Sequence, residues 1–389
     1  MIPATVHRRG GRGSIRAPRL VGVAVAACGG AAAPLLATCT RPAEERAGAE
    51  TEIGFAEREG LSVAVDGGRA QVRAIRARSG GAPGELSLWA QAPVLSIAVA
   101  VDDAAAGEWL VTVDNAMPDS ALAIDGAAAV AAAAARPTLR QWRVTMTTGA
   151  HQLEIAPPDA ALRARFRFAA MADIQTALPS VDEVFARINA EPGVRFVVSM
   201  GDITEASRVD EYELFEAQLH TLDVPYYTTI GNHDIWEDTA RFRDRFGRAN
   251  VHFDFKGVAF SLLDSGSAGI DPLVYDWLDG WLDDARDRVH VFGTHYPPID
   301  PAGIRGGSFR RRAEAERLLA RLAEGHVDLT LYGHIHSYLS FENAGIPAYI
   351  SGGGGARQER WDGIGRHVLV VEAAPEEGRV ASVAVVRVD

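Results

Sequence analysis

The stretch "LTLYGHIHSY", residues 329–338, sets two histidines one residue apart at the end of an apolar run. Side chains at i and i+2 point the same way only on extended backbone or a turn that mimics it. A helix would pair i with i+3 or i+4. His334 and His336 are therefore read at a strand end, with Val327, Leu329 and Leu331 as buried strand residues. Gly333 breaks the strand and leaves room for close approach. Two imidazoles just past a buried parallel strand stand where open α/β sheets bind ligands. Standing alone, the pair would fit a surface turn equally well.

The same arrangement recurs upstream. After "RFAAMA" come Asp173 and Gln175; after "FVVSM", Gly201-Asp202; after "YYTTI", Gly231-Asn232-His233-Asp234; after "HVFGT", His295. The first three follow one another at about 30 residues, the size of one βαβ unit. Helix-like stretches such as "SVDEVFARINA", "DEYELFEAQLHTL" and "RRRAEAERLLARLAE" lie between the apolar runs. Continuous apolar strands with helical crossovers predict a buried sheet covered by helices over residues 165–389. "HVLVVEAA" and "RVASVAVVRVD", split by "PEEG", predict a closing β-hairpin.

A lone Asp after a strand is most often a helix cap, and Asp182 in "SVDEV" is read that way. Capping does not explain five strand ends in register, three of them carrying histidine. Imidazole and carboxylate together suit Zn, Mn or Fe. Three His, two Asp and one Asn exceed the needs of one tetrahedral ion. They fit two ions sharing a carboxylate, an arrangement suited to in-line displacement at phosphorus.

With these motifs in order, "D-x-Q … GD … GNHD … H … GHIH" resembles the calcineurin-like metallophosphoesterases over roughly residues 165–389. The resemblance implies a four-layer α/β/β/α catalytic domain. It implies that Asp173 and His336 hold one metal, that Asn232, His295 and His334 hold the second, and that Asp202 bridges them. A hydroxide between the metals would be the nucleophile. His233 would stabilise the phosphoryl oxygens or protonate the leaving group, with Asp234 orienting it. Gln175 stands where the family usually has histidine, and is expected to join the first metal as a weaker donor. Purple acid phosphatases share the order of a β-sandwich followed by this domain, but carry tyrosine three residues after the bridging aspartate. Here that residue is Glu205, so no purple enzyme is expected.

The N-terminal half reads differently. Residues 53–164 carry short alternating segments such as "LSVAVDG", "LSIAVAVDD" and "EWLVTVDN" separated by turn residues, the pattern of an all-β antiparallel sandwich. Residues 40–52, "TRPAEERAGAETE", read as a disordered tether. Residues 1–39 place Arg8, Arg9, Arg12, Arg16 and Arg19 before an apolar small-residue stretch, the signature of an export leader. "VAAC" and "LATC" each resemble a lipoprotein signal, so the leader reads either as a lipid anchor to a membrane through Cys28 or Cys39 or as an ordinary cleaved signal peptide with incidental cysteines; on both readings export to the periplasm or cell surface is expected. No cysteine follows Cys39, which excludes a disulfide framework, a thiolate metal site and a cysteine nucleophile in the body.

Formal net charge is −12, and without the five leader arginines the balance is 34 basic against 51 acidic residues. Such a body repels nucleic acid. That argues against the rival reading of a nuclease. A second rival, an inactive cell-surface binding protein on the same fold, is opposed by the survival of His233 and Asp202. The lack of a G-x-S-x-G elbow argues against a serine hydrolase. The expected substrate is a phosphomonoester or phosphodiester, carried by a small molecule or a lipid headgroup.

Overall fold

A computed structural model describes residues 42–389 except Arg305. The expected leader, with Cys28 and Cys39, lies outside the described residues. The alternating segments form eleven strands: β1 (Phe55–Arg58), β2 (Leu61–Val65), β3 (Ala70–Arg76), β4 (Gly84–Ala90), β5 (Leu95–Val101), β6 (Gly107–Asp114), β7 (Ala121–Ile124), β8 (Ala127–Ala128), β9 (Val130–Ala131), β10 (Arg140–Met146) and β11 (Gly149–Ala156). One sheet runs β1-β2-β5-β11-β7-β8 and the other β3-β4-β6-β10-β9. Their inward residues, among them Leu61, Ile97, Trp109, Val111 and Trp142, make the sandwich core. One pair departs from the antiparallel expectation. Because β5 crosses to the opposite sheet, β4 and β6 lie side by side in parallel.

The C-terminal half has two further sheets. Strands β12 (Phe166–Met171), β13 (Val194–Ser199) and β14 (Tyr226–Thr228) pair in parallel and are flanked by the hairpin of β21 (His367–Ala374) and β22 (Arg379–Arg387). The second sheet orders β15 (Val251–Phe255), β16 (Val258–Leu263), β17 (Val289–Thr294), β18 (Leu329–Tyr332), β20 (Ile346–Ser351) and β19 (Tyr338–Asn343), with the central four parallel. Inner faces meet through an aromatic cluster: Phe168 stacks on Phe196 at 5.9 Å and meets Phe260 edge-on at 5.1 Å. Helices α2 (Val181–Asn189) and α3 (Val209–Leu219) cover the first sheet, burying Val184, Phe185, Ile188, Tyr212 and Phe215. Helices α5 (Pro272–Ala285) and α6 (Arg312–Glu324) cover the second, burying Leu278, Leu318 and Leu322. The result is four layers, α/β/β/α. A short α4 (Arg241–Phe246) carries Phe246 to within 5.2 Å of the sandwich residue Trp89.

The disordered tether expected over 40–52 is not observed. Pro42–Glu50 form helix α1, which packs on α5 and buries Arg46, Ala47 and Glu50. Composition misleads here because the polar residues are not solvated: Arg46 and Glu50 find buried partners far along the chain. Among the described residues no helix is long and apolar enough to cross a membrane.

Candidate metal centre

Every motif residue sits where a parallel strand runs out. Asp173 follows β12, Asp202 follows β13, Asn232 and His233 follow β14, His295 follows β17, and His334 and His336 follow β18. The two sheets present these ends at one edge. Turning the chain so sharply needs unusual backbone. Asp173, Gln175, Asp202 and His334 all adopt left-handed φ, at 66°, 45°, 55° and 70°. Each such residue costs of order 1–3 kcal/mol and persists only where the surroundings over-determine it. Close approach also fixes Gly231, where a Cβ would fall 2.0 Å from Asp202 Oδ1.

Ligand atoms of the buried Asp173, Asp202 and His295 all lie within 4.8 Å of one another. His295 Nε2 stands 3.3 Å from Asp202 Oδ2 and 3.1 Å from Asn232 Oδ1. His336 Nε2 is 3.5 Å from Asp173 Oδ1 and 3.3 Å from Gln175 Nε2. The Gln175 amide donates to Asp202 Oδ2 at 2.7 Å. Backbone carbonyls hold the far side of each imidazole. His295 Nδ1 donates to Met200 O at 2.8 Å, His336 Nδ1 to Arg357 O at 2.7 Å, and His334 Nε2 to Gly306 O at 3.0 Å. These bonds fix the tautomers and leave Nε2 of His295 and His336, and Nδ1 of His334, as donors to a metal. The Tyr296 ring packs on His334 at 3.7 Å and lines the site.

Charge follows from this crowding. Burial opposes ionisation of Asp202, but the His295 charge and hydrogen bond overcome it and hold the carboxyl well below the usual range. Burial would likewise lower His295, yet Asp202 pushes it up to about 9. His336 is raised to about 9, against burial, by its bond to Asp173. His334 falls to about 4 through burial and the neighbouring His295. Two anionic carboxylates thus hold cationic imidazoles beside them, places that a divalent cation can take over.

His233 and Asp234 diverge from expectation. Asp234 does not orient His233. It is fully buried and accepts from the backbone N–H groups of Asp202, Thr204 and Gly231 at 2.8, 3.0 and 2.9 Å, and from Thr204 Oγ1 at 3.0 Å. Its role is to tie the loop after β13 to the loop after β14. His233 is oriented instead by Glu205, whose carbonyl accepts from Nδ1 at 2.6 Å, leaving Nε2 free. The Glu205 carboxylate lies 3.8 Å from the same nitrogen, but the hydrogen bond comes from its backbone, which no residue type could announce. Trp236, 67% exposed with its ring 5.1 Å from His233, forms a wall beside it. Its position just after the "GNHD" motif is the signal that could have found it.

Residues 166–338 match the family model described as calcineurin-like phosphoesterase. Those residues therefore form a calcineurin-like phosphoesterase domain within the chain. A probable glycerophosphodiester phosphodiesterase of Arcobacter nitrofigilis is 29% identical over 161 residues, covering 38% of this chain and 59% of that protein. A 3',5'-cyclic-nucleotide phosphodiesterase of Nostoc sp. is 24% identical over 155 residues, covering 37% and 57%. The chain thus spans less than two thirds of the curated relatives it matches. A purple acid phosphatase from yellow lupin seeds superposes with a TM-score of 0.49 at 14% identity, covering 76% of this chain and 72% of that one. Calcineurin-like phosphoesterases use a dinuclear metal centre, and the residues present fit one. Asp173 Oδ1 is buried with no hydrogen-bond partner, and the imidazole nitrogens facing it are the ones their carbonyl partners leave free.

Proposed function

We propose that the protein is a metal-dependent phosphoric ester hydrolase whose substrate is a small phosphodiester. The observation that carries this reading is the convergence of Asp173, Asp202 and His295 on one point, with a buried Asp173 oxygen that accepts no hydrogen bond and faces the His336 imidazole at 3.5 Å. The diester preference rests on the two curated relatives, both named as phosphodiesterases.

Asp173, His336 and the amide oxygen of Gln175 would hold one ion, and Asn232, His295 and His334 the other, with Asp202 shared. Bound there, two divalent ions would neutralise phosphoryl oxygens and lower the pKa of an attacking water. The chain supplies the rest. Asp234 locks the strand-end loops so that the donors keep their spacing. His233, held at Nδ1 by the Glu205 carbonyl, presents Nε2 to hydrogen-bond a phosphoryl oxygen or give a proton to the departing alkoxide. Trp236 and Tyr296 narrow access for water. Mn, Fe and Zn all suit this donor set. Export from the cytoplasm is part of the same proposal and rests on the leader sequence alone.

The test is metal add-back. Protein stripped with chelator is assayed on bis-p-nitrophenyl phosphate and p-nitrophenyl phosphate with Mn, Zn or Fe restored one at a time. Metal-restored hydrolysis favouring the diester is expected. No hydrolysis with any metal, together with metal content near zero, would overturn the assignment.

A further inference from the structure

We infer that Arg46, on helix α1, is a positioning residue for the second metal site, acting through the loop 264–271. The inference rests on the two-metal reading above. Arg46 is 5% exposed although it lies near the start of the described chain. Its Nε donates to Asp264 Oδ2 at 2.7 Å, and its Nη2 to Asp264 Oδ1 and Ser267 Oγ, both at 3.1 Å. One turn on, Glu50 accepts from Ala249 N, Asn250 N and Asn250 Nδ2 at 2.8, 3.2 and 3.0 Å. Asn250 Oδ1 in turn accepts from Asp264 N at 2.9 Å. The middle of α1 thus reaches Asp264 directly through Arg46, and its C-terminal end reaches Asp264 by way of Asn250.

The loop 264–271 supports each donor assigned to the second metal. Ser265 Oγ accepts from Tyr296 N at 2.8 Å, the residue after His295. Ala268 O accepts from Arg310 N at 2.9 Å, and Phe309 N bonds Pro297 O at 3.2 Å, which anchors the stretch containing Gly306. The Gly306 carbonyl holds His334. A Cβ on Gly266 would lie 2.9 Å from Gly231 O, so the loop also abuts the residue before Asn232. The first-metal donors lean elsewhere through backbone or ring: Asp173 N on Gly201 O, Gln175 N on Asp202 O, and His336 Nδ1 on Arg357 O, while the two sites meet where Asp173 Oδ2 accepts from His334 N at 2.9 Å.

Stability alone does not account for the clasp. A buried ion pair gains little over well-packed apolar residues, and Arg46 Nη1 is buried with no partner at all. What a rigid, two-pronged guanidinium does provide is fixed geometry.

The experiment titrates the full chain, stripped of metal, with Mn²⁺ or Zn²⁺ by calorimetry, and counts bound ions by elemental analysis. Wild type is expected to bind two ions. In Arg46→Met the first-site affinity should stay within about twofold while the second weakens roughly 10–100-fold, the usual effect of removing a support behind metal ligands. Arg46→Lys, which keeps the charge but not the fork, should recover only part of the loss. Arg46→Met combined with Asp264→Leu replaces the pair by apolar volume. It guards against misfolding of the single variant, and should melt near wild type while still binding the second ion weakly. Unchanged second-site affinity in either folded variant, or equal weakening at both sites, overturns the clasp. A wild type that binds fewer than two ions overturns the two-metal reading itself, and the inference with it.

Discussion

In the sandwich, strand β5 buries every second residue, whereas strand β17 of the catalytic half buries all six. The sandwich's buried polar side chains, among them Gln91 and Asn115, gather at its seam with the other half. The catalytic half instead buries Asp173, Asp202, Asp234 and His295 at strand ends, the first two on left-handed backbone. One half turns its chain in solvent-facing loops that carry little charge inward. The other spends stability to hold like and unlike charges within a few ångströms. Burying unpaired or strained polar groups is expensive, so their concentration at one edge marks where chemistry was selected over stability.

The sharpest way to break this comparison is Asp202→Asn. The amide keeps the shape but removes the charge shared by both proposed metals, so turnover should fall roughly 10³-fold, several kcal/mol of barrier. Circular dichroism should stay native. Activity within a few-fold of wild type would remove Asp202 from the bridging role.

The seam offers the second test. Asn115 Nδ2 donates to Ala90 O at 2.8 Å and Tyr226 O at 2.9 Å, while its Oδ1 accepts from Tyr226 N at 2.7 Å. A sandwich residue therefore satisfies the backbone of a catalytic strand. Asn115→Ala leaves those groups buried and unpaired, which should cost about 2–3 kcal/mol in unfolding free energy. Because Tyr226 lies at the far end of β14 from His233, kcat should hold within about twofold. A large kcat loss with unchanged stability would show that the sandwich reaches into the site.

Much of the fold and of the site is legible in the sequence. The fold follows from periodicity: alternation of two for the sandwich, continuous apolar runs with helices between them for the rest. Site residues are legible because metal chemistry demands Asp, Asn and His, which stand out against apolar strands. Backbone partners are not legible, since the Met200, Glu205, Gly306 and Arg357 carbonyls exist whatever side chain they bear. Asp234 is easily misread because its motif neighbour is His233, while its real partners are N–H groups of a loop about 30 residues away. The helix of Pro42–Glu50 escapes a reading of composition for a related reason. Its few apolar residues give no amphipathic stripe, and its docking depends on charges that pair some 200 residues downstream.

Acid should separate the halves further. His252 and His290 are each held down to about 3, by burial first and then by neighbouring positive charge from Arg69 or His252, and from Arg288. Ser261 Oγ sits between them at 2.9 and 2.8 Å. The unfolded chain takes up these protons near pH 6.5 while the folded chain refuses them. The stability they represent is therefore complete above pH 6.5 and is lost as pH falls toward 3. By pH 5 each accounts for on the order of 2 kcal/mol of that loss. His252→Phe keeps a ring against Trp281, on which His252 stacks at 5.3 Å. Between pH 7.5 and 5, wild type should lose about 2 kcal/mol relative to this variant in denaturant melts. Parallel pH profiles would show that the pair is not a buried neutral one.

The smallest effect belongs to Gln175, the one position where the motif departs from the family pattern. Its amide nitrogen donates to Asp202 Oδ2, on the carboxylate proposed to be shared, and His336 Nε2 lies 3.3 Å away. In that orientation the side chain supports the bridge. Rotated, its oxygen would reach the first metal as a neutral donor weaker than imidazole. Its backbone φ of 45° is one that His tolerates better than most residues, so Gln175→His should fold. Imidazole there should tighten first-site binding about tenfold, near 1.4 kcal/mol, with the second site unchanged. Gln175→Ala separates the two roles of the native amide. Loss of first-site affinity would mean ligation through oxygen; loss of turnover at full metal occupancy would mean that the amide serves Asp202.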